Sequence, residues 1–277
     1  MSRAFLQVPS KHLHLLRCSN SLSTKVVPAP DPIEQQLRRN LAIAHRLVAH
    51  NGHDELTWNH ISARHESWET GKYLVTPGNT HFACMEPADL VLMGAGQDSG
   101  LDNITADVIH GAIYRARKDI TSIVHVHTEA GMYISCLPDP DPLKYYTQDG
   151  GAFYGKVAYH DFEGVATDHE EQENIIRNIS TKTFLGKLPD VLMMRQHGTT
   201  CCGSSVGAAY VKNFYLEQIC RVQMNLDQGG AGHTAPQVSA KVLAKMAGQY
   251  ERPDINHGLE WPAMVKYAEK FLGCDEF

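Results

Sequence analysis

The sequence predicts an α/β domain whose central sheet is partly antiparallel. Short apolar runs rich in β-branched residues, typical of buried strands, are interspersed with longer segments whose apolar residues recur at helical spacing. Several strand-like runs lie close together along the chain, which favours antiparallel pairing. With 277 residues, 43% of them hydrophobic, the chain is long enough to bury a full core, and we interpret residues 31–277 as one domain.

Charge and cysteine content exclude several classes of function. The net charge is −6 and no basic block is present, so neither nucleic acid nor an anionic membrane is an expected partner. No apolar run approaches the 18 or more residues of a membrane span. The seven cysteines are scattered and form no CxxC pair, which favours a reducing compartment and excludes a zinc ribbon.

The first 30 residues differ in composition from the rest. They contain four basic residues among several serines and no Asp or Glu. This composition is typical of a mitochondrial or plastid presequence, and a plain N-terminal extension is the alternative. The expected location is therefore the cytoplasm, or the mitochondrion if residues 1–30 are a cleaved presequence.

Helical segments are predicted from caps and apolar stripes. The first begins at Asp31-Pro-Ile-Glu34, which combines an N-cap, a proline at the first helical position and an acidic first turn, and it ends at Asn51-Gly52. Its apolar stripe is Leu37, Leu41, Ala44, Leu47 and Val48. Further helices are predicted over residues 105–117, 130–136, 168–179, 206–227 (capped by Ser204 or Ser205), 236–248 and 262–272.

Strands are predicted where short apolar or alternating runs end at turn residues. These runs cover residues 58–64, 73–76, 90–93, 121–128, 156–159 and 190–194.

Two histidines stand near the end of the strand-like run from Thr121 to Thr128. Because side chains alternate across a strand, His125 and His127 point to the same face. Each neutral imidazole brings one donor and one acceptor that need partners, and a divalent metal is a common partner for such nitrogens. Two hydrogen-bonded core histidines are the alternative interpretation of this stretch alone.

A third candidate ligand follows another apolar strand about 70 residues later. His197 stands at the end of that strand and is followed by Gly198, where the backbone can turn sharply beside a ligand. The His-Val-His strand and this strand–His–Gly arrangement together indicate a metal site more specifically than either does alone.

Several motifs together resemble the class II aldolase/adducin family, over about residues 34–228. The motifs are His125-Val-His127 with Thr128, Gln196-His197-Gly198, Asn59-His-Ile-Ser-Ala-Arg64 and Ile109-His-Gly-Ala-Ile-Tyr-Arg-Ala-Arg117. Phe153 to Gly164 and Gly258-Leu-Glu-Trp261 look especially like the adducin-like branch.

This resemblance implies a three-layer αβα fold with a mixed, mainly antiparallel sheet, in a homotetramer with sites near subunit interfaces. It also implies a divalent metal held by His125, His127 and His197. Three protein ligands leave an open position, which marks a catalytic site. Zinc is the default ion, and Mn²⁺, Fe²⁺ and Co²⁺ also suit imidazole ligands.

The sequence departs from the sugar-phosphate aldolases of this family at the expected base. Ala106 stands where those enzymes carry a catalytic glutamate, and Asp107 is offset by about 100° around the helix.

The phosphate clamp of those aldolases is also altered. A Gly-Asn pair of the clamp is replaced here by Asn59-His60, and a Ser-Ser pair is replaced by Ile104-Thr105. Thr76 and Gly78 match the clamp residues of those aldolases. We therefore expect a substrate without a phosphate group.

Other residues are candidates for substrate contact and proton transfer. His60, Ser62, Thr76 and Gly78 are the expected substrate-binding residues. Glu129 is a candidate fourth ligand or proton carrier. Tyr146 is the candidate proton donor, with Tyr145 an equal alternative by register.

The expected activity is metal-dependent cleavage of a C–C bond in a small hydroxy- or keto-carbonyl compound through a metal-bound enediolate. Without the glutamate base, decarboxylation is favoured over retro-aldol cleavage, because CO₂ departs without a base. A non-haem iron oxygenase and a non-catalytic, adducin-like assembly domain are the two alternatives.

Overall fold

A seven-stranded sheet forms the centre of the protein. The computed structural model describes residues 31–68, 71–94, 103–252 and 259–277. The predicted N-terminal extension over residues 1–30 and Gly258 of the adducin-like C-terminal motif lie outside the described residues. The strands are β1 (His60–Ala63), β2 (Tyr73–Val75), β3 (Val91–Met93), β4 (Ser122–Val126), β5 (Val157–His160), β6 (Val191–Met194) and β7 (Gly198–Gly203).

The helices of the described ranges surround this sheet. They are α1 (Pro32–His50), α2 (Ile104–Ala106), α3 (Ala112–Ala116), α4 (Glu129–Ser135), α5 (Glu171–Ser180), α6 (Val206–Gln228), α7 (Ala240–Gln249) and α8 (Glu260–Phe271). A π-helical turn over Asp107–Gly111 joins α2 to α3, and 3₁₀ turns cover Phe82–Cys84 and Gln148–Ala152.

The sheet is mixed and mainly antiparallel, as predicted. Its strand order is β3-β2-β1-β4-β7-β6-β5. Only the pair β5–β6 runs parallel among the pairings of the described strands. Helices α1, α4, α6, α7 and α8 pack on one face, and α2, α3 and α5 pack on the other. The protein therefore has the predicted three layers, α/β/α.

The first predicted helix is confirmed together with its cap. The Asp31 carboxylate accepts a hydrogen bond from the amide of Glu34 at 2.8 Å, and the predicted stripe is buried from Leu41 to Val48. Helix α6 begins after Ser205, whose hydroxyl accepts from the amide of Ala208 at 3.1 Å. Ser205, rather than the alternative Ser204, is therefore the cap.

Two predicted helix starts were too early. Helix α5 begins at Glu171 rather than at 168, and α7 begins at Ala240 rather than at 236. In α7 the Ser239 hydroxyl accepts from the amide of Val242 and provides the cap. Residues 168–170 and 236–239, which the prediction assigned to helix, belong to loops.

Strand β7 was not predicted, although it is central. Its sequence, Gly-Thr-Thr-Cys-Cys-Gly, lacks the aliphatic run that marked the other buried strands. All six residues are nevertheless buried, because β4 and β6 pair with the strand on its two edges. The pairing partners, rather than the local sequence, therefore determine this strand.

A three-residue loop, residues 195–197, joins β6 to β7. Gln196 adopts a left-handed backbone conformation, with φ of 56°, and the amide of His197 donates to the carbonyl of Met194 at 3.2 Å. A Cβ on Gly198 would lie 2.5 Å from the carbonyl oxygen of Val126 and 2.9 Å from His127 Cδ2. Only glycine fits where this loop meets the end of β4.

His45 joins α1 to the sheet in the core. Its Nδ1 bonds to the carbonyl of Leu41 at 2.7 Å, and its Nε2 bonds to the hydroxyl of Thr76 at 2.6 Å. Burial lowers the pKa of His45 to about 4, because the charged ring would lose its hydration.

None of the helices in the described ranges combines the length and the apolar character needed to cross a bilayer.

Stability should fall as the pH is lowered from 6.5 towards 4. In that interval the unfolded chain binds a proton at His45 that the folded protein does not, so the free energy of unfolding decreases, by on the order of 3 kcal/mol for this one group. Urea titrations at several pH values measure this. His45→Gln should flatten the dependence, whereas His169→Gln, at an exposed histidine, should not. Equal slopes in both variants would contradict the account.

Gly198→Ala should destabilise the protein by about 1–3 kcal/mol, because the new methyl group forces the loop away from Val126 and His127. Gly248→Ala is the matched control, since a Cβ there meets nothing within 4 Å and Ala is a better helix former. Urea denaturation measures both. A Gly198→Ala protein as stable as its control would show that the glycine is not required.

Candidate metal centre

Three imidazoles meet where the end of β4 faces the β6–β7 loop. His125 is buried within β4, His127 is the first residue after it, and His197 is the last residue of the loop. Ring centroids are 4.8 Å apart for His125 and His127, 4.9 Å for His125 and His197, and 4.6 Å for His127 and His197. One ligand atom from each ring lies within 4.8 Å of those of the other two. The structure therefore brings together the three residues predicted as metal ligands.

The hydrogen bonds of His125 determine which of its nitrogens faces the cluster. Its Nδ1 lies 2.9 Å from the hydroxyl oxygen of Thr200. The Thr200 hydroxyl donates its own proton to the sulfur of Met194, at 3.5 Å. The oxygen therefore accepts from His125 Nδ1–H, and Nε2 presents its lone pair to the other rings.

His127 presents the corresponding nitrogen. Its Nδ1 lies 2.8 Å from a carboxylate oxygen of Glu55, which accepts a hydrogen bond from Nδ1–H, and its Nε2 lies 2.9 Å from Nε2 of His125. Two lone pairs facing each other at this distance repel unless a cation or a proton lies between them.

The donor set fits a divalent cation. Burial lowers the pKa of His125 well below its usual range and that of His197 to about 4, and the neighbouring imidazoles lower both further. These two rings are therefore neutral at physiological pH, as a metal ligand must be. Three imidazoles suit zinc and other first-row ions and leave a coordination position open.

A fourth histidine packs against the cluster. His60 and His125 are opposite each other in the β1–β4 pairing, and their rings stack with centroids 4.6 Å apart. In turn, His125 is opposite Thr200 in the β4–β7 pairing. The two cross-strand neighbours of His125 are therefore His60, whose ring stacks on it, and Thr200, whose hydroxyl accepts its hydrogen bond.

The proton positions around His60 can be assigned from one end of a hydrogen-bond chain. Asn103 Oδ1 accepts from the amide of Ala106, so it is the amide oxygen and carries no proton. Thr105, 2.5 Å away, must donate to it. The Thr105 oxygen is then the acceptor for Nε2–H of His60, at 3.4 Å.

The same chain continues through the π-helical turn. His60 Nδ1 accepts from Nε2–H of His110 at 2.9 Å, and His110 Nδ1 accepts from Ser62 at 2.6 Å. Ser62 accepts from the hydroxyl of Tyr114 at 2.7 Å. Burial lowers the pKa of His110 to about 3, so the chain is uncharged. It holds His60 in one neutral form beside His125.

The predicted substrate-binding residues differ in accessibility. Ser62 and Thr76 are fully buried and their hydroxyls bond to His110 and His45, so neither offers an exposed polar atom to a substrate. Both nitrogens of His60 have protein partners. Gly78 is exposed in the loop after β2.

The two predicted catalytic residues lie outside the sheet, Glu129 on α4 and Tyr146 in the loop that follows α4. Glu129 is exposed on the first turn of α4. The hydroxyl of Tyr146, which is half-buried, donates to the carbonyl of Gly232 at 3.1 Å. Tyr145, the alternative by register, packs in the core among the side chains of α4, α6 and α7. Among the described residues, no hydrogen bond joins Tyr146 or Glu129 to the three histidines.

The carboxylate of Asp107 is committed elsewhere. It accepts from the hydroxyl of Tyr73 at 2.9 Å and lies beside Gly111. Ala106, at the position of the aldolase glutamate, is buried. The Asp107 carboxylate is therefore bonded to Tyr73, in agreement with the expected rotation away from the position of Ala106.

Sequence reasoning missed Glu55, Thr200 and Glu217. Glu55 and Thr200 contact the histidines across more than 70 residues of chain, and their neighbouring sequence carries no ligand signature. Glu217 is buried on α6, accepts from Thr128 next to His127, and has its pKa raised by burial. The sequence did hold one indication of this burial. Glu217 lies between Leu216 and Ile219, which belong to the apolar face of the predicted helix.

A cavity of about 460 Å³ lies elsewhere, at the β5 edge of the sheet. Its walls include Tyr145, Tyr159, Arg177 and Phe184, and none of the three histidines. We place the candidate site at the histidines, because oriented donor atoms converge there.

The chain is similar to proteins of one known family. Residues 39–224 match the family described as class II aldolase and adducin N-terminal domain. A Pseudomonas aeruginosa protein named provisionally as a class 2 aldolase is 29% identical over 255 residues, covering 89% of this chain and 94% of that protein. Rat α-adducin is 32% identical over 209 residues, which are 71% of this chain and 26% of α-adducin, so the match spans about a quarter of that longer protein.

Solved structures share the fold. An aldolase II superfamily protein from Pseudomonas syringae aligns with a TM-score of 0.76 and 28% identity, over 88% of this chain and 96% of that chain. An L-fuculose 1-phosphate aldolase from Glaciozyma antarctica aligns with a TM-score of 0.70 and 22% identity, over 90% of this chain and 96% of that chain. The chain belongs to the class II aldolase and adducin family.

Proposed function

We propose that the protein is a metal-dependent lyase that cleaves a C–C bond in a small, unphosphorylated hydroxy- or keto-carbonyl compound. The observation that carries this proposal is the convergence of three imidazoles at one point, two of them with their Nε2 lone pairs turned towards it. Such a set is costly to bury for packing alone, because the facing nitrogens repel. Family membership supports a lyase-type enzyme.

His125, His127 and His197 would hold the cation, with zinc as the default and Mn²⁺, Fe²⁺ or Co²⁺ as alternatives. When bound, the ion would supply Lewis-acid stabilisation of the negative charge that develops beside a carbonyl as the bond breaks.

The surrounding side chains favour decarboxylation or a related cleavage over retro-aldol chemistry. Ala106 provides no base. The buried His60–His110 pair is neutral and offers no positive charge to a phosphate group. Decarboxylation requires no base to remove a substrate proton, only an acid that later protonates the carbanion.

Tyr146 is the proposed acid. Burial and the nearby Asp227 raise the pKa of Tyr146, so its hydroxyl, which bonds to the carbonyl of Gly232, stays protonated at neutral pH. Glu129, exposed beside the end of β4, is the second proposed proton carrier. Gly78 and the ring of His60 are the remaining proposed substrate contacts.

A homotetramer with sites near subunit interfaces is part of the proposal. Phe162, Val165 and Phe184 are exposed apolar side chains, the kind of surface that an interface covers.

A non-catalytic, adducin-like assembly domain is the second candidate, favoured by the 32% identity with α-adducin. The two candidates differ in one requirement. An assembly domain needs the fold but not the aligned nitrogens of the three histidines.

Replacing one ligand should abolish metal binding. His197→Gln alters a half-buried loop residue and should keep the fold, while His125→Ala removes the buried ligand. We expect elemental analysis to find about one equivalent of metal in the wild type, less than a tenth of that in either variant, and a full equivalent in His169→Gln. Turnover of small keto- and hydroxy-acids, followed as CO₂ or aldehyde release, should be lost with the metal.

A folded His197→Gln protein with full metal content would refute the ligand assignment. Wild-type turnover that requires iron and O₂ would identify an oxygenase instead.

Tyr146→Phe should lower kcat by about 10²–10³-fold with unchanged metal content, because it removes the proposed acid and no ligand. Tyr145→Phe is the matched control, since its ring stays in the core. Steady-state kinetics on a substrate found in the screen measure the effect. Equal kcat for Tyr146→Phe and the wild type would exclude this hydroxyl as the proton donor.

A further inference from the structure

We propose that Glu55 is a positioning residue of the metal centre, which holds His127 in the tautomer that ligates a cation. This inference rests on the proposed function for the cation itself. It concerns a residue that no motif of the sequence pointed to, in the loop between α1 and β1.

The contact is direct and short. A carboxylate oxygen of Glu55 lies 2.8 Å from His127 Nδ1, on the opposite side of the ring from the nitrogen that faces His125. The side chain of His127 is 13% exposed and that of Glu55 is 47% exposed. A carboxylate acceptor makes a stronger bond to an N–H than a neutral acceptor does.

The backbone holds Glu55 in place despite its exposed carboxylate. The amide of Glu55 donates to Asn59 Oδ1 at 2.7 Å, and the amide of Trp58 donates to the carbonyl of Glu55 at 3.2 Å. Asn59 is 1% exposed and directly precedes His60 of β1. This turn is therefore tied to the same strand pair that carries His125, and the carboxylate is presented towards the site before any ligand arrives.

The carboxylate decides which nitrogen of His127 carries the proton. A neutral imidazole places its proton on either nitrogen, and an ionised carboxylate accepts but cannot donate. The proton therefore resides on Nδ1, and Nε2 keeps a lone pair directed towards His125. Thr200 fixes the tautomer of His125 in the same way. The Nε2 atoms of His125 and His127, which face each other, are therefore both oriented by partners outside the cluster.

Glu55 also changes the charge of the site. Imidazole ligands bring no negative charge to offset that of a divalent ion, and Ala106 stands at the position of the glutamate in the aldolases that the sequence resembles. Among the described residues, Glu55 is the one carboxylate within ion-pair distance of the three histidines. Its negative charge, transmitted through His127, favours retention of the cation and makes this ring a more basic ligand.

Glu55→Gln should weaken zinc binding by about 10–100-fold, because the amide keeps the shape of the side chain and removes the charge and the obligate acceptor. Glu66→Gln is the matched control, an exposed carboxylate in the loop after β1 that should change the affinity by less than about twofold. Competition with a chromophoric chelator measures the dissociation constants. Urea denaturation should show equal stability for both variants.

A second measurement tests the tautomer without any metal. In the ¹⁵N-histidine NMR spectrum of the metal-free protein, the His127 signal, identified by its loss in His127→Gln, should report a proton on Nδ1. Glu55→Gln should shift that signal towards a mixture of tautomers, and Glu66→Gln should leave it unchanged.

The two measurements separate this inference from the proposed function. A wild type that binds no zinc would refute the metal centre, and the tautomer of His127 in wild type and Glu55→Gln would still decide the role of Glu55. Unchanged zinc affinity together with an unchanged tautomer in Glu55→Gln would overturn the proposal.

Discussion

The candidate site depends on one constraint, that the nitrogens of its buried imidazoles need partners. Each neutral ring has one donor and one acceptor, and leaving either unpaired in the core costs free energy. The chain from Tyr114 to Asn103 meets this constraint completely for His60 and His110. At His125 and His127 the outer nitrogens are paired in the same way, but the inner nitrogens face each other. A cation between these inner nitrogens is the partner that the proposed function supplies.

The antiparallel sheet creates this arrangement through its register. Cross-strand pairing puts His60, His125 and Thr200 side by side on three neighbouring strands, so stacking and hydrogen bonding follow from the alignment of backbone positions. The tight loop before Gly198 then brings His197 over the end of β4. The π-helical turn also contributes to the site, because it positions His110, the hydrogen-bond partner of His60. Such turns occur often at functional sites.

Local sequence patterns predicted the parts of the protein that local physics determines. Apolar spacing and caps located α1 and α6, and alternation along β4 put His125 and His127 on one face. Strand β7 escaped because its burial comes from two neighbouring strands rather than from its own composition. Glu55 and Thr200 were not predicted as site residues, because their contacts with the histidines join parts of the chain that are more than 70 residues apart, and no local pattern encodes such contacts. Tyr145 and Tyr146 were equivalent in sequence, and packing against α6 and α7 distinguished them.

The central claim is that one cation belongs among the three histidines. An anomalous difference map, from crystals of protein purified without chelators and measured at the absorption edge of the metal found, tests it most directly. The account predicts one peak per chain, about 2.0–2.1 Å from a nitrogen of each of His125, His127 and His197 if the ion is zinc. Density that shows these rings hydrogen-bonded only to one another and to water, with no peak between them, would contradict it.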